Sequence, residues 1–173
     1  MPSQNQQPVK ISLALPTQAY FMSGVRDFTL NFIKNVTHFN ELWAYRFQSI
    51  VDELCNNAIE FGSEPGKEIK LTLVYDGKSL EISVEDAGTG KNKITAKALA
   101  ALVEERKQPT FVNKEIRGRG LSKIVANWTD ELLFEDINGG GIRVIARKNL
   151  DKLPEGDMST VSAQANPKTI ILQ

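Results

Sequence analysis

From Lys67 to Val84 the apolar residues fall on every second position: Ile69, Leu71 and Leu73, then, past Asp76-Gly77, Leu80, Ile82 and Val84. A period of two puts alternate side chains on one face of a strand. Asp-Gly supplies the positive φ that a tight hairpin turn requires. The segment is therefore read as an antiparallel hairpin with one apolar face, and a sheet of that kind needs a layer packed over it.

The remaining patterns supply that layer. Val9, Ile11, Leu13 and Leu15 alternate as a half-buried strand, which Pro16-Thr17 closes with Thr17 as a helix cap. A helix to about Asn35 follows, with Val25, Phe28, Phe32 and Val36 on one stripe. A second runs from about Asn40 to Phe61, burying Phe47, Ile50, Val51, Leu54, Ala58 and Phe61, and Gly62 is expected to end it in the left-handed conformation. A short Ala/Leu-rich helix is expected at about Thr95 to Arg106, then a loop marked by Pro109, then an amphipathic helix on Leu121, Ile124, Val125 and Trp128. A second hairpin joins Leu132-Leu-Phe134 to Ile142-Arg-Val-Ile145 across Asn138-Gly-Gly-Gly141. The order β-α-α-β-β-(lid)-α-β-β predicts an α+β, two-layer sandwich: a mixed, mostly antiparallel sheet with helices on one face.

At 173 residues the chain reads as one domain, spanning 9–150, with a flexible N-terminus at 1–8 and a tail at 151–173 where Pro154, Gly156 and Pro167 recur. Twenty-one Lys and Arg balance 21 Asp and Glu. That balance denies it the positive field that direct nucleic-acid binding uses. No apolar run nears the roughly 20 residues that span a bilayer, and the polar start Met1-Pro-Ser-Gln-Asn-Gln-Gln has no apolar leader, so a cytoplasmic protein without a membrane segment is expected. A single cysteine and a single histidine make no metal cluster, and Cys55 reads as a small buried filler. His38 lies between two helices with no carboxylate pattern beside it, and Trp43, Tyr45 and Phe47 read as core or partner surface.

Three short motifs carry chemistry. Glu53 and Asn57, four apart in the second helix, point the same way at the rim of its apolar stripe. An amide oxygen suits Mg²⁺, and a neighbouring carboxylate suits acceptance of a proton from an attacking hydroxyl. Asn56 and Glu60 are the nearby alternatives. Asp86 ends a strand before Gly88 and Gly90; its carboxylate can accept a hydrogen bond from an adenine amine while the glycines let backbone pass close to a ligand. Arg117-Gly118-Arg119-Gly120-Leu121 opens a helix whose free N–H groups and dipole face an anion. The Walker A pattern is absent, and no strand leads into these glycines as a Rossmann fingerprint needs. Each motif alone is an ordinary polar boundary, a turn or a helix start. Their order and spacing carry the reading. Between them, the basic residues Lys91, Lys93, Lys97, Arg106, Lys107, Lys114 and Arg117, interleaved with Glu104, Glu105 and Glu115, suggest a lid at about 91–117.

This set resembles the nucleotide-binding boxes of the GHKL superfamily, and most of all those of the small bacterial anti-sigma-factor serine/threonine kinases. The likeness runs from about Val9 to Arg147 through Val51-Asp-Glu53, Asn57-Ala-Ile-Glu-Phe-Gly62, Val84-Glu-Asp86-Ala-Gly88-Thr-Gly90 and Gly118-Arg-Gly120-Leu121. It implies the histidine-kinase-type ATPase fold with ATP and Mg²⁺ as cofactors. Glu53 would be the catalytic base, Asn57 the Mg²⁺ ligand, Asp86 the adenine contact, and Gly118 and Gly120 phosphate binders, with Gly88, Gly90, Arg117, Arg119 and Leu121 completing the nucleotide site. The implied partners are a sigma factor and a small antagonist protein that is phosphorylated, and a homodimer is admitted. A departure stands at Gly139-Gly140-Gly141-Ile142, where many relatives have Gly-x-Thr. Two other readings remain open: a non-enzymatic nucleotide-binding regulator that sequesters its partner, and the ATP-binding half of a histidine kinase. The latter is disfavoured because no helix pair with a phospho-acceptor histidine precedes residue 9.

Overall fold

The computed structural model describes residues 7–91, 93–107, 120–154 and 157. Five strands form one sheet: β1 (Val9–Pro16), β2 (Glu68–Tyr75), β3 (Ser79–Glu85), β4 (Glu131–Asp136) and β5 (Ile142–Asn149). Their order is β1-β2-β3-β5-β4, and every pairing is antiparallel, so the mostly antiparallel sheet expected has no parallel pair among the described residues. Helices α1 (Met22–Val36) and α2 (Glu41–Asn57) pack together. Asn40 caps α2, its Oδ1 accepting the Trp43 N–H at 3.0 Å. Arg26 of α1 reaches Asp52 of α2 at 2.7 Å.

The period-two apolar positions Ile69, Leu71, Leu73, Leu80, Ile82 and Val84 are all buried under the helices, against Ile33, Phe47, Ile50, Val51 and Leu54. Each such side chain contributes about 1.5–3 kcal/mol on leaving water. The opposite face of the sheet is kept polar by charge pairs that the register sets side by side. Arg143 meets Glu85 at 2.9 Å and Glu135 at 3.2 Å, and four residues further along Arg147 meets Glu81 at 2.5 Å and Glu131 at 2.9 Å.

The end of α2 departs from expectation. The helix does not stop at a left-handed Gly62; it widens into a π turn, Ala58–Gly62, and leaves through an extended Ser63. A π turn holds more residues than an α turn and so rotates everything after it. That rotation explains why Phe47, Ile50, Val51, Leu54 and Ala58 are buried as expected, whereas Phe61 is 47% exposed. Downstream, α3 (Ala96–Lys107) lies on β4 and on a second π turn, Leu121–Val125, which runs into α4 (Ala126–Trp128).

Beyond β5 the chain makes a single 3₁₀ turn, Leu150–Lys152. Asp157 then accepts hydrogen bonds from Trp43 Nε1 at 3.3 Å and Arg46 at 3.2 Å. Trp43 and Phe47 belong to the core, and Tyr45 is half exposed. Cys55 is fully buried, which pushes its thiol up to about 12; it is a packing residue, as its type suggests. The exposed His38 is hydrogen-bonded through Nδ1 to the buried Tyr75 hydroxyl.

Candidate nucleotide-binding site

The end of α2 with its π turn, the 86–90 turn after β3, α3, the start of the second π turn and the β4–β5 hairpin line a cavity of about 620 Å³. Its walls are largely apolar, with Leu54, Ala58, Val84, Leu99, Leu102 and Val103 among them, and its polar groups are few: Asn57, Asp86, Lys93, Arg106, Ser122 and Asp136. A mostly apolar cavity with a handful of placed polar groups is the usual form of a small-molecule site.

On α2, Asn57 donates from Nδ2 to the Glu53 carbonyl at 2.8 Å and to Glu53 Oε1 at 2.7 Å. Both side chains are half-buried. With its amide nitrogen committed to Glu53, the Asn57 oxygen is the atom left for a cation. The structure therefore brings this pair together as the four-residue spacing implies. Asn57 lines the cavity, while Glu53 stands just outside its wall.

Asp86 is held from two directions. Its Oδ1 accepts the Gly88 N–H at 2.8 Å and the Ile142 N–H at 3.2 Å, and its own N–H donates to the Ile142 carbonyl at 3.1 Å. Burial raises its carboxyl above the usual range, and the two N–H bonds only partly offset this. The second oxygen, Oδ2, lies against Gly62, where any Cβ would overlap the carboxylate. That contact, and not a left-handed helix stop, is why position 62 is glycine.

The 86–90 turn is fastened to the π turn at the end of α2. Thr89 and Gly90 both donate to the Gly62 carbonyl at 3.2 Å, Ala87 N–H donates to Ser63 Oγ at 2.9 Å, and Glu64 N–H to Thr89 Oγ1 at 3.0 Å. Gly88 has φ +64, and a Cβ there would run into the Gly140–Gly141 backbone. At Gly90 one would overlap the Phe61 carbonyl. The three glycines of the β4–β5 turn, Gly139, Gly140 and Gly141, have φ of +98, +108 and +99, a region closed to threonine at ordinary cost. A Cβ on Gly141 would lie 2.6 Å from the Asp86 carbonyl oxygen. In this chain no hydroxyl at 141 supports Asp86. The main-chain N–H of Ile142 does so instead.

Of the expected phosphate loop, Arg117, Gly118 and Arg119 lie outside the described residues. Gly120 and Leu121 are described, and both are buried. A Cβ on Gly120 would fall inside the Glu53 carboxylate. In the expected lid, α3 covers the cavity with Leu99, Leu102 and Val103, and its first turn is capped twice: Ala96 N–H to Asp136 Oδ1 at 2.8 Å and Ala98 N–H to Thr95 Oγ1 at 3.2 Å. Of the basic residues there, Lys93 and Arg106 line the cavity, Lys107 pairs with Glu104 at 2.5 Å, and Lys91 and Lys97 are exposed. Lys114 and Glu115 lie outside the described residues.

Sequence reasoning read Gly62 only as a helix stop and motif end and Thr89 only as part of a turn motif, and it gave Ser63, Asp136 and the apolar lid residues no place in the site. Only Asp136 carried a local signal, as an acid just before the Gly-rich turn. The others act through contacts between segments far apart in the chain.

No curated protein matches the chain in sequence. A model of the histidine kinase-like ATPase domain matches residues 15–148, a span that includes both walls of the cavity, Glu53, Asn57, Asp86 and the glycine turns. With that span covering most of the molecule, the chain belongs to the histidine kinase-like ATPase domain family.

Proposed function

We propose that this protein is an ATP-dependent serine/threonine protein kinase that acts as a cytoplasmic anti-sigma regulatory factor, phosphorylating a small antagonist protein. The observation that carries the reading is the Glu53–Asn57 pair: a carboxylate and a carboxamide locked together at 2.7 Å beside the cavity, with the amide oxygen left over. In this reading adenine enters among the apolar walls and its exocyclic amine donates to Asp86 Oδ2. Asn57 Oδ1 would hold Mg²⁺, which would neutralise charge on the phosphates. Glu53 takes the proton of the acceptor hydroxyl as its oxygen bonds to the γ-phosphorus and the bond from that phosphorus to the β–γ bridging oxygen breaks. Phosphoryl transfer relies mainly on positioning and charge neutralisation, so few side chains suffice.

The test compares the wild type with Glu53→Gln, using labelled ATP and an antagonist captured by pull-down. The amide keeps the size of the carboxylate, so nucleotide and partner affinities should hold while transfer falls about 10²–10⁴-fold. Equal transfer by both proteins refutes the base assignment. Failure of the wild type to phosphorylate any antagonist that it binds would favour a non-enzymatic regulator.

A further inference from the structure

Gly120 has no conformational need to be glycine. Its φ of −66 and ψ of −45 are those of an ordinary right-handed helix, where alanine is the better residue. The reason lies opposite it, since a Cβ built there would overlap Cδ and both oxygens of Glu53. The carboxylate is thus wedged between two elements: Asn57 of α2 holds Oε1 at 2.7 Å on one side, and the Cα of Gly120 closes the other.

We propose that Gly120 is a positioning residue for Glu53, the absence of its side chain setting where the carboxylate stands. This rests on the reading of Glu53 as general base. It assigns the glycine a task separate from the phosphate contact that its backbone N–H would make, because alanine retains that N–H. Of the two sides of the contact, the carboxylate is the one that yields. It ends a flexible, half-buried side chain, whereas the turn that Gly120 opens is pinned in the core by Leu121, Ser122 and Val125, all buried. Gly120→Ala should therefore fold and bind nucleotide, with Glu53 turned out of place. Misplacement of a reacting group by about 1 Å costs about 10²-fold in rate.

The experiment is a cycle in the full chain: wild type, Gly120→Ala, Glu53→Ala and the double variant. Three quantities are read: ATP affinity by calorimetry, kcat and KM for transfer, and the Asn57 side-chain amide resonances by NMR. Gly120→Ala should leave ATP affinity and KM within about threefold and lower kcat about 10²-fold. In the Glu53→Ala background the same change should lower the residual rate no further. Independently of activity, the Asn57 amide signals of Gly120→Ala should move towards those of Glu53→Ala, because both variants lose the bond to Oε1. If Gly120→Ala fails to fold, recovery of folding in the double variant reports the same contact, and lack of recovery refutes it. Wild-type Asn57 signals in Gly120→Ala, or a rate loss that persists without Glu53, would overturn the proposal. A wild type that transfers nothing would sink the kinase reading while the NMR arm still decides the contact.

Discussion

Replacing Asp86 by asparagine separates what the carboxylate does for the fold from what it does for the base. In the structure Oδ1 carries the structural load, accepting N–H groups from Gly88 at 2.8 Å and Ile142 at 3.2 Å, and an amide oxygen can accept both. The change falls on the other atom. Where Oδ2 lay against Gly62, asparagine presents an NH₂ group, a donor where the proposed reading puts the donor amine of adenine. A hydrogen bond to a charged group is worth about 1.5–3 kcal/mol, and a buried donor left unpaired costs about 1–3 kcal/mol. Because Asp86 is only half-buried, the lower parts of those ranges apply. Together they come to about 2.5–4 kcal/mol, or about 10²–10³-fold weaker ATP binding. Stability should not fall, because the amide is spared the burial cost that raises the Asp86 carboxyl. Guanine nucleotides, with an acceptor oxygen where adenine has its amine, should lose nothing comparable. Calorimetry with ATP and GTP, beside a thermal melt of the free protein, checks all three statements. Equal ATP affinity in both proteins would refute the adenine assignment. A large drop in melting temperature would instead mean that the two N–H bonds need the charge.

The raised Asp86 carboxyl also predicts a pH dependence of opposite sign for binding and folding. As pH falls through its elevated folded value, the acceptor is protonated and ATP affinity should drop. The stability penalty of the buried charge, fully present above that value, should be relieved over the same window; isothermal titration and melts across acidic pH would show both, and a flat affinity would contradict the assignment. Removing Asp130 should be severe. Lys148 Nζ, on a side chain only 9% exposed, bonds Asp130 at 2.9 Å, so Asp130→Ala should cost about 3–5 kcal/mol in urea denaturation, and adding Lys148→Met should recover much of it. Asp136→Ala takes away the cap on the first N–H of α3 and should cost that helix about 1 kcal/mol. Amide exchange across its first turn should then quicken about fivefold, and unchanged exchange would show that Thr95 alone suffices.

Much of the architecture was legible because it is written in local periods. Alternation at Ile69, Leu71 and Leu73, the Asp76-Gly77 turn and the glycines at 139–141 specify two hairpins, since a strand's faces and a tight turn's φ values depend on neighbours in sequence. The four-residue step from Glu53 to Asn57 likewise puts both on one face of α2 whatever surrounds it.

What joins distant segments was decided only in three dimensions. No local pattern states that β5 pairs with β3 and leaves β4 at the edge, yet that pairing brings the Ile142 N–H to Asp86 and aligns Arg143 with Glu85. The π turn that exposes Phe61 belongs to the same class, since propensity alone would continue the α-helix and its buried stripe. Gly62 and Gly120 make the distinction sharpest. From the sequence they read as a helix stop and a phosphate loop; in the fold each is glycine because a carboxylate from another segment, Asp86 or Glu53, occupies the space a Cβ would need. Backbone conformation is encoded next to a residue, whereas the volume left for its side chain is set by whatever the whole fold packs against it.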